Sequence, residues 1–408
     1  MNKTIISERI NKLQKDFRQN GEAALISFWE EISKNGAPII ESIEGNDKNV
    51  YVTAIWKDEG GIETMEVFGE LFGMSSDVMK MEKLEGTDVW YKTCKAPIDA
   101  RSLYVFYVNA KPDDNFEDMD VRLDPFNDNV ITCVDDELNP GEYCVLYKRE
   151  SMVELPGFKP CEYLNRKAAS DRGIVVQSDI SSEILGNSRR VWVYEPAGHK
   201  GFKEPAGMMI FMDGWEYVYE TKLPIILDGM ISQGIIPPVY CVFLDNRNNR
   251  TEELRLNKRF IDFLAREVTD WAKSRYRISD DPAKTLIGGF SAGGLTAGYA
   301  GYLYPGIFGK VLSQSGAFYW GYDEENKEPA LVKYFEEADK LPLEIYMSLG
   351  EFEKFEEHLN ANLKLYEILK DKGYRVKYKE FSGGHTFFDA QMTIAEGLEF
   401  LLGSIKEI

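Results

Sequence analysis

The feature that most constrains this chain is a change of rhythm near residue 173. Downstream, eight apolar runs recur, at 173–180, 189–196, 207–213, 238–245, 284–290, 309–315, 343–349 and 374–381. Helical patterns at 216–233, 252–275, 292–304 and 353–372 lie between most of the later runs. Parallel strands need long crossovers, and helices are the usual crossover. The alternation therefore predicts an α/β fold: an eight-stranded, mostly parallel sheet with helices on both faces.

The first part of the chain reads differently. Ile10, Leu13, Phe17, Leu25, Phe28 and Ile32 recur at three- and four-residue steps, which predicts a leading helix over 5–35. Short alternating runs at 49–56, 64–71, 79–84, 87–93 and 101–109 predict a small β-sandwich. Residues 110–170, with Pro112, Pro125, Pro140, Pro156, Pro160 and many acids, read as a connector with little regular structure. A chain of 408 residues exceeds one ordinary core, so two domains are expected. These are 1–155 (helix, β-sandwich and connector) and 156–408 (the α/β domain).

Charge excludes several partner classes. The chain carries 48 Lys+Arg against 68 Asp+Glu, a formal net charge of −20. That field opposes nucleic acid and anionic membrane surfaces. The opening MNKTIISERINKLQKDF lacks the apolar run of a signal peptide, and no stretch approaches the length of a membrane span. Cys94, Cys133, Cys144, Cys161 and Cys241 form no CxxC pair and read as reduced thiols. A cytoplasmic location follows. No metal or cofactor is expected, and oligomeric state has no signature here.

The chemistry starts at Gly289-Phe290-Ser291-Ala292-Gly293, between the fifth apolar run and a helix rich in small residues. A G-x-S-x-G pattern alone is weak, but strand–turn–helix context makes it a nucleophile elbow, the mark of the α/β-hydrolase fold. A serine hydroxyl needs a base. Of three histidines, His199 sits in a polar turn and His358 lies among acids (EKFEEHLN), so both read as solvated. His385 follows Gly383-Gly384 just after the eighth run, where this topology presents a base beside the elbow. The acid should precede it and follow the seventh run, where Glu351 and Glu353 stand. Asp389 lies after the histidine and reads as structural. Two oxyanion donors are expected: the Ala292 N–H, and that of Trp215 or Gly214 in the loop after the third run.

These residues resemble the enterochelin (enterobactin) esterase family. The resemblance rests on Phe211-Met212-Asp213-Gly214, Leu244-Asp245 running to Arg250-Thr251-Glu252-Glu253-Leu254, the elbow with Gly294-Leu295, Ser313-Gln314-Ser315-Gly316-Ala317-Phe318-Tyr319-Trp320 and Gly383-Gly384-His385. Phe28-Trp29, Gly36-Ala37-Pro38, Val52-Thr53-Ala54-Ile55-Trp56, Gly86-Thr87-Asp88-Val89-Trp90 and Asp124-Pro125-Phe126-Asn127 extend it over nearly the whole chain. The run His385-Thr386-Phe387-Phe388 departs from the family, which usually has an aspartate after the histidine.

The resemblance implies a cytoplasmic serine esterase that cuts the ester bonds of a ferric catecholate siderophore. It implies Ser291 and His385 as catalytic residues, and its placing of the acid three residues after the strand-end glycine selects Glu353. Arg250 matches an arginine that the family carries near its site, for an anionic substrate or a salt link to Glu253. Trp215, Phe318, Tyr319 and Trp320 are candidates for an aromatic wall. Two rival readings remain: an esterase for feruloyl or acetyl groups of carbohydrate, and a non-catalytic binding protein on a hydrolase scaffold.

Overall fold

Gly21, at φ 59°, breaks the leading helical pattern in two. In the computed structural model of the chain, α1 spans Glu8–Asn20 and α2 spans Glu22–Asn35. The Ser7 hydroxyl caps α1 by accepting the Ile10 N–H. The model describes residues 5–74, 76–111, 114, 119–139, 147–165, 172–323, 328–353 and 355–403. Pro112, Pro140, Cys144 and Lys354 lie outside them. The chain forms two compact units, one of Met1–Cys133, Val145–Lys159 and Ser382–Gly384, the other of Val134–Cys144, Pro160–Phe381 and His385–Ile408.

The first unit holds β1 (Ile39–Ile43), β2 (Asn46–Lys57), β3 (Met65–Phe68), the short α3 (Ser76–Met79), β4 (Glu82–Lys83), β5 (Val89–Pro97), β6 (Arg101–Val108), β7 (Asp120–Arg122), β8 (Val130–Thr132) and β9 (Arg149–Glu154). Two antiparallel sheets result, β1-β2-β5-β4 and β3-β6-β9-β8, with β7 pairing β6. α1 and α2 bury Ile10, Leu13, Phe28 and Ile32 against Ile55, Leu84 and Val89. The span expected to be irregular thus supplies β7, β8 and β9. β7 and β8 have three residues each, too few for alternation to show among prolines and acids.

The second unit carries the larger sheet. Its strands are β10 (Ile174–Ser182), β11 (Asn187–Glu195), β12 (Gly207–Phe211), β13 (Val239–Leu244), β14 (Thr285–Phe290), β15 (Lys310–Gln314), β18 (Glu344–Gly350) and β19 (Arg375–Phe381). A two-stranded ribbon, β16 (Tyr322–Asp323) with β17 (Glu328–Pro329), stands apart. The sheet order is β10-β11-β13-β12-β14-β15-β18-β19. β11 pairs antiparallel with both neighbours and the remaining pairs are parallel. All eight expected strands form this α/β sheet, and Ser291 follows the fifth.

Side chains alternate between two cores. Met208, Ile210, Val242, Ile287, Val311 and Ile345 pack on one face, with Phe260, Leu264, Leu295, Leu331 and Leu365. Met209, Phe211, Phe243, Leu286, Leu312 and Tyr346 pack on the other, with Leu223, Ile226, Met230, Leu398 and Leu401. Both faces are covered, which is why the strands read as continuous apolar runs.

The helices of this unit are α4 (Leu223–Ser232), α5 (Arg250–Glu253), α6 (Lys258–Asp262), α7 (Thr269–Arg275), α8 (Ala292–Leu303), α9 (Ala330–Glu337), α10 (Glu356–Asp371), α11 (Phe387–Ala390) and α12 (Ile394–Leu402). The patterns expected over 216–233 and 252–275 each contain a stretch of π-helix, at Glu216–Glu220 and Phe263–Val268. Among the described residues no helix is long and apolar enough to cross a membrane.

One buried acid gives the first unit a pH signature. The Asp124 carboxylate accepts the Tyr104 hydroxyl at 2.8 Å and the Phe126 N–H at 2.9 Å. Burial outweighs both bonds and pushes its pKa up to about 6. Between pH ~4 and ~6 the folded chain holds a proton that the unfolded chain has released. The stability contributed by Asp124 therefore falls as pH rises through that window, by about 1.4 kcal/mol per unit, and is flat above it. Asp124→Asn should reduce the pH 4–6 change in unfolding free energy by about 2–3 kcal/mol in chemical denaturation. An unaltered slope would refute this account of the carboxyl.

Candidate active site

β14 is buried along its whole length, and the chain reverses at its end. Ser291 sits at φ 57°, ψ −117°, and α8 begins at the next residue. For a non-glycine residue this conformation costs on the order of 1–3 kcal/mol. Its surroundings hold it there: the Ser291 N–H donates to the Gln314 carbonyl at 2.9 Å, and the Ser291 carbonyl accepts from Leu295 and Ala317. A Cβ on Gly289 would lie 2.4 Å from the Gly293 carbonyl carbon, and one on Gly294 would lie 2.6 Å from Ser313 Oγ. Glycine is thus demanded by closeness of approach.

The hydroxyl so presented meets His385. His385 Nε2 lies 2.9 Å from Ser291 Oγ, and His385 Nδ1 pairs with Glu353 Oε2. The other Glu353 oxygen accepts the Ser315 hydroxyl at 2.6 Å and the Gly350 N–H. Glu353 is 6% exposed, at the end of a short 3₁₀ turn after β18, whereas Glu351 faces solvent. The His385 ring packs on Phe290 at 4.7 Å, and its side chain remains 35% exposed. Asp389 serves its own turn, accepting the Thr386 hydroxyl at 2.7 Å.

The loop after β12 runs through Asp213, at φ 54°, into the helical turn that opens with Gly214 and Trp215. A Cβ on Gly214 would lie 2.8 Å from the Phe243 carbonyl carbon and 2.9 Å from the Leu244 nitrogen. First-turn N–H groups have no intrahelical acceptor. Among the described residues none of the N–H groups of Gly214, Trp215 and Ala292 has a backbone acceptor. Asp213 itself points toward α8, since a Cβ on Gly293 would stand 3.2 Å from its Oδ2.

Arg250 holds Asp213 with two bonds, Nε to Oδ1 at 2.7 Å and Nη2 to Oδ2 at 3.0 Å, and its side chain is 38% exposed. It makes no salt link to Glu253. Glu253 instead takes Arg189 and the Asn246 amide, because Arg189 on β11 reaches it inside the protein. Further buried pairs brace the same loops. Arg190 binds Asp136 and Asp245, and Arg247 binds Glu216. Burial opposes ionisation of Asp136, but Arg190 and Asn139 outweigh it and hold its pKa down at about 2. Burial and then the Asp213 charge push Glu216 up to about 7 against the pull of Arg247.

The expected aromatic wall is smaller than the sequence suggests. The Trp215 indole is buried against Trp192 and Tyr219, beneath the guanidinium groups of Arg190 and Arg247. Phe318 belongs to the core. Trp320 is 37% exposed with Arg255 stacked 4.0 Å from its ring, and Tyr319 is half-buried against Phe355 and His358. Chain proximity alone cannot separate a ring needed for packing from one left on the surface.

Two histidines also differ from expectation. His199 is partly buried on Tyr240 and bonds Glu195 at 3.0 Å. His358 is buried, 5.9 Å ring to ring from His385, and burial lowers its pKa. Its flanking acids face outward, and the legible signal was the buried stripe His358, Ala361, Asn362, Leu365 and Leu369 on α10. Gln314 had no signal of its own. Its side chain accepts the Tyr217 hydroxyl and donates to Ala390 and Thr393.

The model of the putative esterase family matches residues 182–401. The chain is 28% identical to the iron(III) enterobactin esterase of Dickeya dadantii, over 94% of each chain. It is 25% identical to the iron(III) enterobactin esterase of Escherichia coli K12, over 88% of this chain and 92% of that one. Among solved structures, the ferric enterobactin esterase of Salmonella typhimurium superposes with a TM-score of 0.74 at 23% identity, covering 92% of this chain and 98% of that chain. The Shigella flexneri enterobactin esterase, solved in the presence of enterobactin, superposes with a TM-score of 0.70 at 24% identity, over 92% and 97%.

The elbow geometry is directly testable. A methyl on Gly289 strikes backbone that cannot yield without opening the turn. Gly289→Ala should lower stability by about 1–3 kcal/mol and slow labelling of Ser291 by a fluorophosphonate at least tenfold. Gly306→Ala, whose methyl meets nothing within 4 Å, is the control. Normal melting and labelling of Gly289→Ala would contradict the close-packed elbow.

Proposed function

The chain belongs to the putative esterase family, and from that premise we propose that it is a serine esterase opening the ester bonds of a ferric catecholate siderophore of the enterobactin kind. The observation that carries the reaction class is the unbroken relay from Glu353 through His385 to Ser291 Oγ. The substrate class is supported by the relatives named iron(III) enterobactin esterase, which align over nearly the whole chain.

In this reading Ser291 Oγ attacks the ester carbonyl while His385 Nε2 takes its proton. Glu353 accepts the Nδ1–H, keeps the opposite nitrogen free as base, and stabilises the imidazolium that forms. Charge developing on the carbonyl oxygen is met by the Ala292 N–H and by that of Trp215 or Gly214. His385 then protonates the departing alcohol, and water activated by the same imidazole hydrolyses the acyl-enzyme. Iron travels as substrate cargo and takes no part in the bond cleavage.

A tris-catecholate anion must approach against a net charge of −20. Arg250 and the Arg255–Trp320 pair supply local positive charge and an exposed ring face, and Tyr319 adds a second ring. Cys94 and Cys241 are free thiols, as suits a reducing compartment, and we assign the cytoplasm.

Ser291→Ala should lower turnover of a ferric catecholate trilactone by about 10⁵–10⁶, and Glu353→Gln by up to about 10⁴, in single-turnover assays. Loss of less than tenfold in Ser291→Ala would remove this nucleophile. Substrate class is read separately: rates on the ferric trilactone should exceed those on the iron-free trilactone and on a feruloylated oligosaccharide. Arg250→Ala should raise KM for the ferric anion about tenfold and lower kcat as well, since it removes positive charge beside the site and releases the buried Asp213 that steadies the Gly214–Trp215 turn.

A further inference from the structure

We propose that Glu353, His385 and His358 form an inhibitory binding site for one divalent transition-metal ion of the zinc type. The proposal rests on the serine-esterase reading of His385 and Glu353. His358 is 1% exposed, in the first turn of α10. Its Nε2 lies 3.0 Å from the Gly316 carbonyl oxygen. A carbonyl only accepts, so Nε2 carries the hydrogen and Nδ1 carries a lone pair. That Nδ1 is buried and, among the described residues, finds no hydrogen-bond partner. A buried acceptor left unsatisfied costs on the order of 1–3 kcal/mol. The reaction derived above has no use for His358, yet the residue lies beside the relay.

One donor atom from each of Glu353, His358 and His385 falls within 4.8 Å of the other two. Two imidazoles and a carboxylate are a donor set that zinc takes at about 2.0–2.1 Å, with a fourth position open. Tetrahedral ligand atoms at that distance stand about 3.3–3.5 Å apart, so closure needs movements of roughly 1.5 Å or less. His385, partly exposed after β19, can make that movement, whereas His358 and Glu353 are fixed by burial.

Inhibition follows from proton placement. For His385 to act as base, its proton must sit on Nδ1, facing Glu353, with the lone pair on Nε2 facing Ser291. A metal ion accepting the Nδ1 lone pair moves that proton to Nε2, and the Glu353 oxygen turns from the N–H to the ion. Nε2–H then donates to Ser291 Oγ, and no lone pair is left to receive the serine proton. No electron is transferred and no covalent bond to carbon changes. The ion would silence the serine without touching it.

The test uses tag-free, chelator-stripped full chain and Zn²⁺ or Co²⁺ alone as probe. Ser291→Ala, which keeps all three donors, should bind one Zn²⁺ in competition with a chromophoric chelator, and Co²⁺ should give the intense visible bands of a four-coordinate site. His358→Gln in that background should weaken Zn²⁺ binding by a factor on the order of 10². Wild-type ester hydrolysis should be inhibited by Zn²⁺ and restored by EDTA, with the inhibition constant raised by a similar factor in His358→Gln. Absence of stoichiometric binding, equal binding by His358→Gln, or binding without inhibition would each overturn the proposal. Should His358→Gln fail to fold, the Co²⁺ spectrum of Ser291→Ala decides: four-coordinate bands support the site and their absence overturns it. A protein that binds one Zn²⁺ through His358 but hydrolyses no ester would instead overturn the esterase reading and the inhibitory role while leaving the donor set standing.

Discussion

The hydrogen bond from the Ser291 N–H to the Gln314 carbonyl carries the β14–β15 ladder one residue beyond its last strand residue. The reacting groups depend on that extension. Parallel register places Phe290 beside Gln314 and Gln314 beside Ser348, so β14 and β15 finish level while β18 runs on to Gly350. The next bond, from the Ser315 N–H to the Ser348 carbonyl, repeats the device and sets the Ser315 hydroxyl against Glu353. The side chain of Gln314 then ties Tyr217, from the helical turn after β12, to Ala390 and Thr393, which follow His385. One buried amide thus joins the segments that follow Trp215 and His385, and a buried amide left half-satisfied is costly.

Electrostatics holds the remaining wall. The segment 245–253 contributes Asp245, Arg247, Arg250 and Glu253, and each is paired across to another element: Arg190, Glu216, Asp213 and Arg189. Buried charges are expensive unless paired, and loss of one partner strands the other. The gain here is definition of position. Asp213 is clamped between Arg250 and the start of α8, which fixes the turn that opens with Gly214 and Trp215. In a chain with a net charge of −20, the buried guanidinium groups of Arg189, Arg190 and Arg247 are each matched to carboxylates.

Much of this was legible in the sequence, and the exceptions have physical causes. Eight apolar runs gave eight strands because both sheet faces are covered and each run is uninterrupted. Ser291 was legible through glycine spacing, which reports contacts too close for any side chain. Glu353 and Glu351 were indistinguishable by chemistry, and only burial separates them. His358 was hidden by exposed acids on the same helix, and Trp215 was misread because an indole supplies the same letter to a core and to a pocket. α9 and α12 escaped notice because eight and nine residues are too few for helical periodicity to stand out, and Gln314 because its role arises from neighbours distant in the chain.

The distribution of the relay along the chain has a consequence for its biosynthesis. Ser291 leaves the ribosome well before Glu353, and Glu353 before His385, which follows the edge strand of the sheet. The strained alcohol can be moulded once β15 docks, while its base must wait for β19. A nascent chain that stops before residue 385 therefore carries the turn at Ser291 without the imidazole that bonds its hydroxyl. The Glu353–His385–Ser291 relay is therefore closed only in the last stage of assembly.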